Sequence, residues 1–259
     1  MTNTDVGQLA PGWVLTTVGE VSLVNPRSYL VPPRDDECVS FVPMAAVEAA
    51  SGQMHAKEVK PYQDVRRGYT PFAEGDVLFA KITPCMENGK IAVAQGLEGG
   101  RGCGSTEFHV IRLFEGVSNR LMMYYLLQDE FHGEARKHMT GSAGQLRVPA
   151  QYLVEALFPL PPLAEQHRIV AEIEKQFTRL DASVAALKRA QANLERYWAS
   201  ELKAACEGKL VPQDPADEPA SVLLERIRAE RATSPNPLRL RRGLKIPLAA
   251  GGEGPGGEA

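Results

Sequence analysis

The sequence predicts an α+β fold, a strand-rich domain followed by a long coiled-coil helix, from three observations. Short β-branched or aromatic runs alternate with Gly, Pro and Asn punctuation up to about residue 160. A proline-rich connector, Phe158-Pro159-Leu160-Pro161-Pro162-Leu163, then marks a change of composition. Beyond it no Pro or Gly interrupts residues 163–206, and apolar residues recur at alternating steps of three and four.

The first region reads as strands over 39–44, 75–82, 90–94 and 108–113, bounded by turn signals such as Glu74-Gly75-Asp76 and Glu87-Asn88-Gly89. Between 121 and 139 the spacing predicts a helix, capped by Ser118 or Asn119, with Met122, Leu126 and Phe131 among its apolar positions. Prolines at the connector stiffen the chain, and a Pro with Glu165 in the first turn suits a helix start. The seam that follows comprises Val170, Ile173, Phe177, Leu180, Val184, Leu187, Gln191, Leu194 and Trp198. A helix of about 40 residues would extend roughly 60 Å, longer than a small domain is wide. The later helical stretch, 219–232, is too short to cover it. The seam therefore predicts self-association or a partner's helix, with Gln191 as a polar residue that fixes register. The expected divisions are 1–160, 161–210, 211–232 and a disordered tail over 233–259, basic at first (Arg239, Arg241, Arg242, Lys245) and then Gly-rich.

Composition sets the outer bounds. The chain has 259 residues, 44% hydrophobic and 24% charged, with a net charge of -3, a balance that excludes wholesale disorder. No window reaches 18 consecutive apolar residues, so no membrane span is expected. The opening MTNTDVGQLAPGW has no basic or apolar leader pattern, and a cytoplasmic location is the expectation. Cys38, Cys85, Cys103 and Cys206 are widely spaced, so neither a disulfide framework nor a zinc site is expected. The near-neutral total gives no general attraction for nucleic acid; a DNA contact would have to be local.

Catalytic patterns are mostly missing. There is no phosphate-binding G-x-x-x-x-G-K-[ST] loop, no G-x-S-x-G elbow, no H-E-x-x-H helix and no Asn/Asp-Pro-Pro-aromatic methyltransferase tetrapeptide. The one nuclease-like fragment is Glu58-Val59-Lys60 with Asp35 and Asp36 upstream; Asp36, Glu58 and Lys60 could serve a magnesium-dependent nuclease. More informative are cations beside Gly, Asn, Thr and Tyr in loops: Arg66-Arg67-Gly68-Tyr69-Thr70, Lys81-Ile82-Thr83-Pro84, Asn88-Gly89-Lys90 and Arg101-Gly102. Such loops can hold phosphates and read base edges, although soluble surfaces show similar ones.

Several blocks in order resemble a known family. Gly68-Tyr69-Thr70-Pro71-Phe72, the run from Gly75 to Lys90 containing Lys81-Ile82-Thr83-Pro84-Cys85-Met86-Glu87-Asn88-Gly89-Lys90, and Gly104-Ser105-Thr106-Glu107-Phe108-His109-Val110 resemble the target-recognition domain of type I restriction-modification specificity subunits. Gly141 to Val148 with Pro159-Leu160-Pro161-Pro162-Leu163-Ala164-Glu165-Gln166 is similar to the join between that domain and the family's helix, and 202–212 with 218–224 to the end of a family repeat. The resemblance implies a non-catalytic subunit, with no metal or cofactor of its own, in a prokaryotic cytoplasm. Its partners would be double-stranded DNA, methyltransferase subunits that modify adenine and a separate restriction subunit. Family members usually carry two recognition domains spaced by two antiparallel helices, whereas this sequence shows one of each. An antiparallel homodimer reading an interrupted palindrome is the expectation, with a second half on another chain as the alternative. On physical grounds Arg66, Arg67, Lys81 and Lys90 are the expected phosphate anchors, and Tyr69, Thr83, Asn88 and Arg101 the candidate base readers. Gln145 and Arg147 would approach the DNA backbone. For Asn88 a tight hairpin turn with Gly89 is the weightier reading. Two rivals stand beside this reading: the nuclease, and a coiled-coil adaptor without DNA binding.

Overall fold

The structure is a computed structural model describing residues 9–27, 29, 31–55, 58–142 and 144–233. The chain runs through β1 (Val14–Thr17), a single helical turn α1 (Val18–Val21) and β2 (Ser22–Val24), then β3 (Cys38–Val42) and β4 (Glu58–Pro61). A second short turn, α2 (Tyr62–Val65), leads into β5 (Thr70–Ala73), β6 (Val77–Ala80), β7 (Ile91–Val93), β8 (Arg101–Gly104) and β9 (Phe108–Leu113). Helices α3 (Asn119–Leu126) and α4 (Asp129–Lys137), the hairpin β10 (Thr140–Ser142) and β11 (Gln145–Arg147), α5 (Ala150–Glu155) and β12 (Leu157–Leu160) follow. The described chain ends with α6 (Leu163–Cys206) and α7 (Ala220–Thr233).

Side-chain alternation sorts the core into layers. Along β6, Val77 and Phe79 face a cluster with the helices, where Met122, Leu126 and Phe131 lie, whereas Leu78 and Ala80 face Val42 and Phe72 of the neighbouring sheet. In β7 and β9, Ile91, Val93 and Ile111 point to the first side, and Ala92, Phe108 and Val110 to the second. A sheet covered on both faces needs apolar residues at every position, which explains the unbroken Val-Leu-Phe-Ala run. This inner sheet has the order β2-β9-β6-β7, and the outer one β4-β3-β8-β5. Glycine in β8 answers to close packing: a Cβ at Gly102 would lie 2.3 Å from the Phe72 ring, and one at Gly104 2.4 Å from the Val42 carbonyl oxygen.

The strand and helix expectations meet this architecture unevenly. The four expected strands correspond to β3, β6, β7 and β9, but β1, β2, β4, β5, β8 and the short pairs went unread. The helix expected over 121–139 is two helices; Ser118 caps the first through its Oγ, which accepts from the Leu121 amide, and the break falls at Leu127 and Gln128. β1 pairs antiparallel with β12, tying residues 14–17 to 157–160 just before α6. The long helix occupies 163–206 as expected.

The chain divides into two compact units between Val184 and Ala185, so the first half of α6 belongs with the sheets. In the second unit the described side chains are exposed almost throughout. The tail from 234 onward, with Arg239, Arg241, Arg242 and Lys245, lies outside the described residues. Among the described residues no helix is long and apolar enough to cross a membrane.

Candidate nucleic-acid interface

One group of the expected DNA contacts gathers on the outer sheet. Phe41 of β3 is its platform: the Tyr69 ring stands edge-on at 4.9 Å, and the Lys60 ammonium sits 3.9 Å from the ring centroid. Between α2 and β5 the chain turns through Gly68, whose φ of +80° suits glycine and whose Cβ position faces open space. That turn puts Arg67 and Tyr69 at an exposed tip, Tyr69 being 40% accessible. Arg67 has no hydrogen-bond or ion-pair partner among the described residues. Its neighbours are held: both oxygens of Asp35 accept from Arg66 Nη1 at 2.8 Å, and Glu37 accepts from Arg101 Nη1 at 2.8 Å.

A second group forms where the loop after β6 meets the β10–β11 hairpin. The Thr83 amide donates to the Leu146 carbonyl at 3.0 Å, while Thr83 Oγ1 accepts from the Leu146 amide at 3.2 Å and donates to the Gly144 carbonyl at 3.3 Å. Arg147 places a two-pronged grip on Glu107, Nε to Oε2 at 2.9 Å and Nη2 to Oε1 at 2.8 Å. The Arg147 hydrogen bonds hold the Glu107 carboxyl below the usual carboxylate range, with Lys81 adding to the effect. Lys81 lies half-buried beside this pair, and the Gln145 side chain is exposed at the hairpin tip.

Beneath them His109 is buried. Its Nε2 lies 2.8 Å from the Val148 carbonyl, which only accepts, so Nε2 bears the proton and Nδ1 accepts from Asn25 Nδ2 at 2.9 Å. Burial pushes the imidazole below its ordinary value; Lys81 pushes the same way, against the Val148 hydrogen bond and Glu107. The neutral ring thus links β9 to the segment after β11.

The remaining candidates lie elsewhere. Lys90, expected as a phosphate anchor, is turned inward: its ammonium donates to the carbonyls of Met44 at 3.1 Å and Val47 at 2.9 Å. Those bonds tie Lys90 to the turn over 44–47, so the geometry makes Lys90 a loop buttress. Asn88 and Gly89 form a turn, with Gly89 at φ +63° and Asn88 lining a cavity against α6. Asp36 lies 3.8 Å from Arg34, and Glu58 pairs with Lys60 at 2.9 Å. Among the described residues no three His, Cys, Asp or Glu side chains come close enough to hold a metal ion.

The start of α6 is anchored to the domain. Gln166, 2% exposed, accepts from the Ser118 amide at 2.8 Å and donates to the Pro161 carbonyl at 3.0 Å and the Gly116 carbonyl at 3.2 Å. Val170, expected at the association seam, is instead in the domain core, because α6 lies against α3 there. Ile173 lines a cavity of about 830 Å³ with Tyr124, Leu127, Ile169 and Phe177. Beyond it the seam is bare: Leu180 is 59% exposed, Leu187 70%, Leu194 68% and Trp198 68%.

No family model matches the chain. Among curated proteins, the type I restriction enzyme EcoAI specificity subunit of Escherichia coli is 36% identical over 270 residues, 87% of this chain and 45% of the relative. The EcoEI specificity subunit of the same organism is 34% identical over 293 residues, 96% of this chain and 48% of the relative. The crystal structure of the HsdS subunit from Thermoanaerobacter tengcongensis superposes with a TM-score of 0.64 at 25% identity, covering 83% of this chain and 53% of that one. The chain belongs to the type I restriction specificity subunits. It spans about half the length of the curated relatives it matches. A second solved structure, concerning complex assembly and conformational transition of the type I R-M system, matches with a TM-score of 0.57 at 25% identity over 82% of this chain and 53% of that one.

For this specificity-subunit chain, the carboxylates that hold three of the candidate DNA-contact arginines are what the sequence reading left out. Asp35, Glu37 and Glu107 lie 31, 64 and 40 residues from Arg66, Arg101 and Arg147. Only the strand pairing β3–β4, β3–β8 and the bridge Ile82–Arg147 bring them together, and no local pattern encodes that. Gln166 was missed as an anchor, although a polar residue one turn into an apolar-faced helix is a readable signal.

Proposed function

We propose that the chain is the DNA-recognition component of a type I restriction-modification assembly. It would bind half of a bipartite double-stranded site and direct adenine methylation by methyltransferase subunits, with a restriction subunit as a further partner. The named function of the relatives matched over most of this chain supports the reading most strongly. Two copies pairing antiparallel through the bare face of α6 would present two such domains, and an isologous pair reads a site of matching symmetry. The chemistry stays with the partners, and the location is the prokaryotic cytoplasm.

The geometry ranks the contacts. Arg67 is a free exposed cation on a projecting turn, suited to a phosphate. Arg66, Arg101 and Arg147 are neutralised by carboxylates, which orients their forks but removes net charge. The Gln145 amide is an exposed donor and acceptor pair, the kind that reads adenine N6 and N7. Tyr69 presents its ring and hydroxyl beside Arg67.

The test is fluorescence anisotropy with the methyltransferase-bound chain at several salt concentrations. Arg67→Ala should weaken binding to all sequences and lower the salt slope by about one. Gln145→Ala should flatten preference at one base, by about 1–3 kcal/mol. Lys90→Ala should leave the slope unchanged and lower the melting temperature. A slope untouched by Arg67→Ala removes this tip from the interface.

A further inference from the structure

We infer the register in which two copies of this chain join: an antiparallel pairing of α6 that seats Trp198 of one copy over Ile173 of the other, closing the apolar groove at the helix base. The inference rests on the pairing reading above and adds the alignment.

The seam spacing allows few antiparallel alignments, because each layer must set a residue before a three-step against one before a four-step. One alignment faces Val184 with Leu187, Leu180 with Gln191, Phe177 with Leu194 and Ile173 with Trp198. It leaves only Val170 of the seam without a partner across the pair, and Val170 is the seam residue already buried in its own domain, at 9% exposure.

Charge selects the same alignment. Asp181 and Lys188 flank the seam, both exposed and, among the described residues, without a partner. This alignment sets Asp181 against Lys188 of the other copy, twice by symmetry. A slip of seven residues one way sets Asp181 against Asp181 and leaves Lys188 facing Glu174, which Arg120 already holds. The other way sets Lys188 against Lys188 and Asp181 against Glu195, so only this alignment pairs Asp181 with Lys188. Glu174, brought near Glu195, is already held by Arg120 at 2.6 Å.

The groove then receives a fitting occupant. Tyr124, Leu127, Ile169, Ile173 and Phe177 form the apolar part of an open groove of about 830 Å³, with polar residues such as Asp129 and Glu172 also lining it. Tyr124 and Phe177 already meet edge-on at 5.9 Å. Trp198, 68% exposed, is a large flat ring of the kind that anchors interfaces when it enters such a pocket.

Sedimentation equilibrium on the full chain tests the register. Asp181→Lys and Lys188→Asp should each weaken self-association about 10-fold, and the double exchange should return it to within about 2-fold of the parent. Trp198→Ala should weaken it roughly 30-fold. In a Trp13→Phe chain, acrylamide quenching of Trp198 should fall as the copies associate. Association that ignores both charge variants, or leaves Trp198 equally quenched, overturns the register while the pairing stands. A parent chain that stays single at tens of micromolar, alone and with methyltransferase, overturns the pairing itself.

Discussion

Arg67 and Lys90 stand beside similar neighbours in the sequence, a glycine and a polar or aromatic residue, yet their surroundings differ entirely. Arg67 projects from a turn whose glycine has a positive φ, whereas Lys90 reaches back to two carbonyls of another loop. Local composition marks both as loop cations; only the contact over more than 40 residues separates them. His109 has the clearest titration consequence. Its folded value is depressed by burial, so below about pH 6.5 the unfolded chain takes up a proton that the folded chain refuses. Stability should therefore fall as pH drops from 6.5 toward the folded value, at up to about 1.4 kcal/mol per pH unit for that proton. His132, also depressed by burial, adds in the same window, while Glu107, held low by Arg147, matters only below about pH 4.5. His109→Gln keeps a donor for Val148, and urea unfolding between pH 7 and 5 should show a slope reduced by up to one proton. An unchanged slope would mean that the imidazole is already charged in the fold.

At the scale of elements, α6 was legible end to end because its start and stop are chemical: prolines before it, no Pro or Gly within it, and Gly208 just beyond at φ +66°. Its division of labour was not legible. A seam of even spacing gives no sign that Val170 packs into its own domain while Leu187 stays bare, because that depends on where α3 lies. Strands β6, β7 and β9 declared themselves by apolar runs, since they are covered on two faces. β8, with the sequence Arg-Gly-Cys-Gly, did not, because its glycines serve Phe72 and Val42 across the sheet. If the bare half of α6 is an association face, Leu187→Glu with Leu194→Glu should abolish self-association in light scattering. The melting temperature of the diluted chain should stay within about 2 °C, since neither side chain is buried. A large drop in melting temperature would place those residues in intrachain packing instead.

For the whole molecule, the ordered blocks from Gly68 to Val148 and the connector to Gln166 carried the family assignment, and relatives at 34% and 36% identity agree with it. The residues proposed to read bases are the least legible part, because such a surface would be assembled from loops far apart in sequence that share no periodicity. The layered sheets hold the Arg67 tip and the Gln145 hairpin, and the second half of α6 leaves its apolar residues exposed. The most direct test is selection from a random duplex library by the purified chain, alone and with the proposed methyltransferase partner, followed by sequencing. A split motif with identical, inverted halves at one fixed spacing is the expected result. A contiguous motif, an asymmetric pair of halves, or no enrichment over the starting library would contradict a two-fold DNA reader built from two copies of this chain.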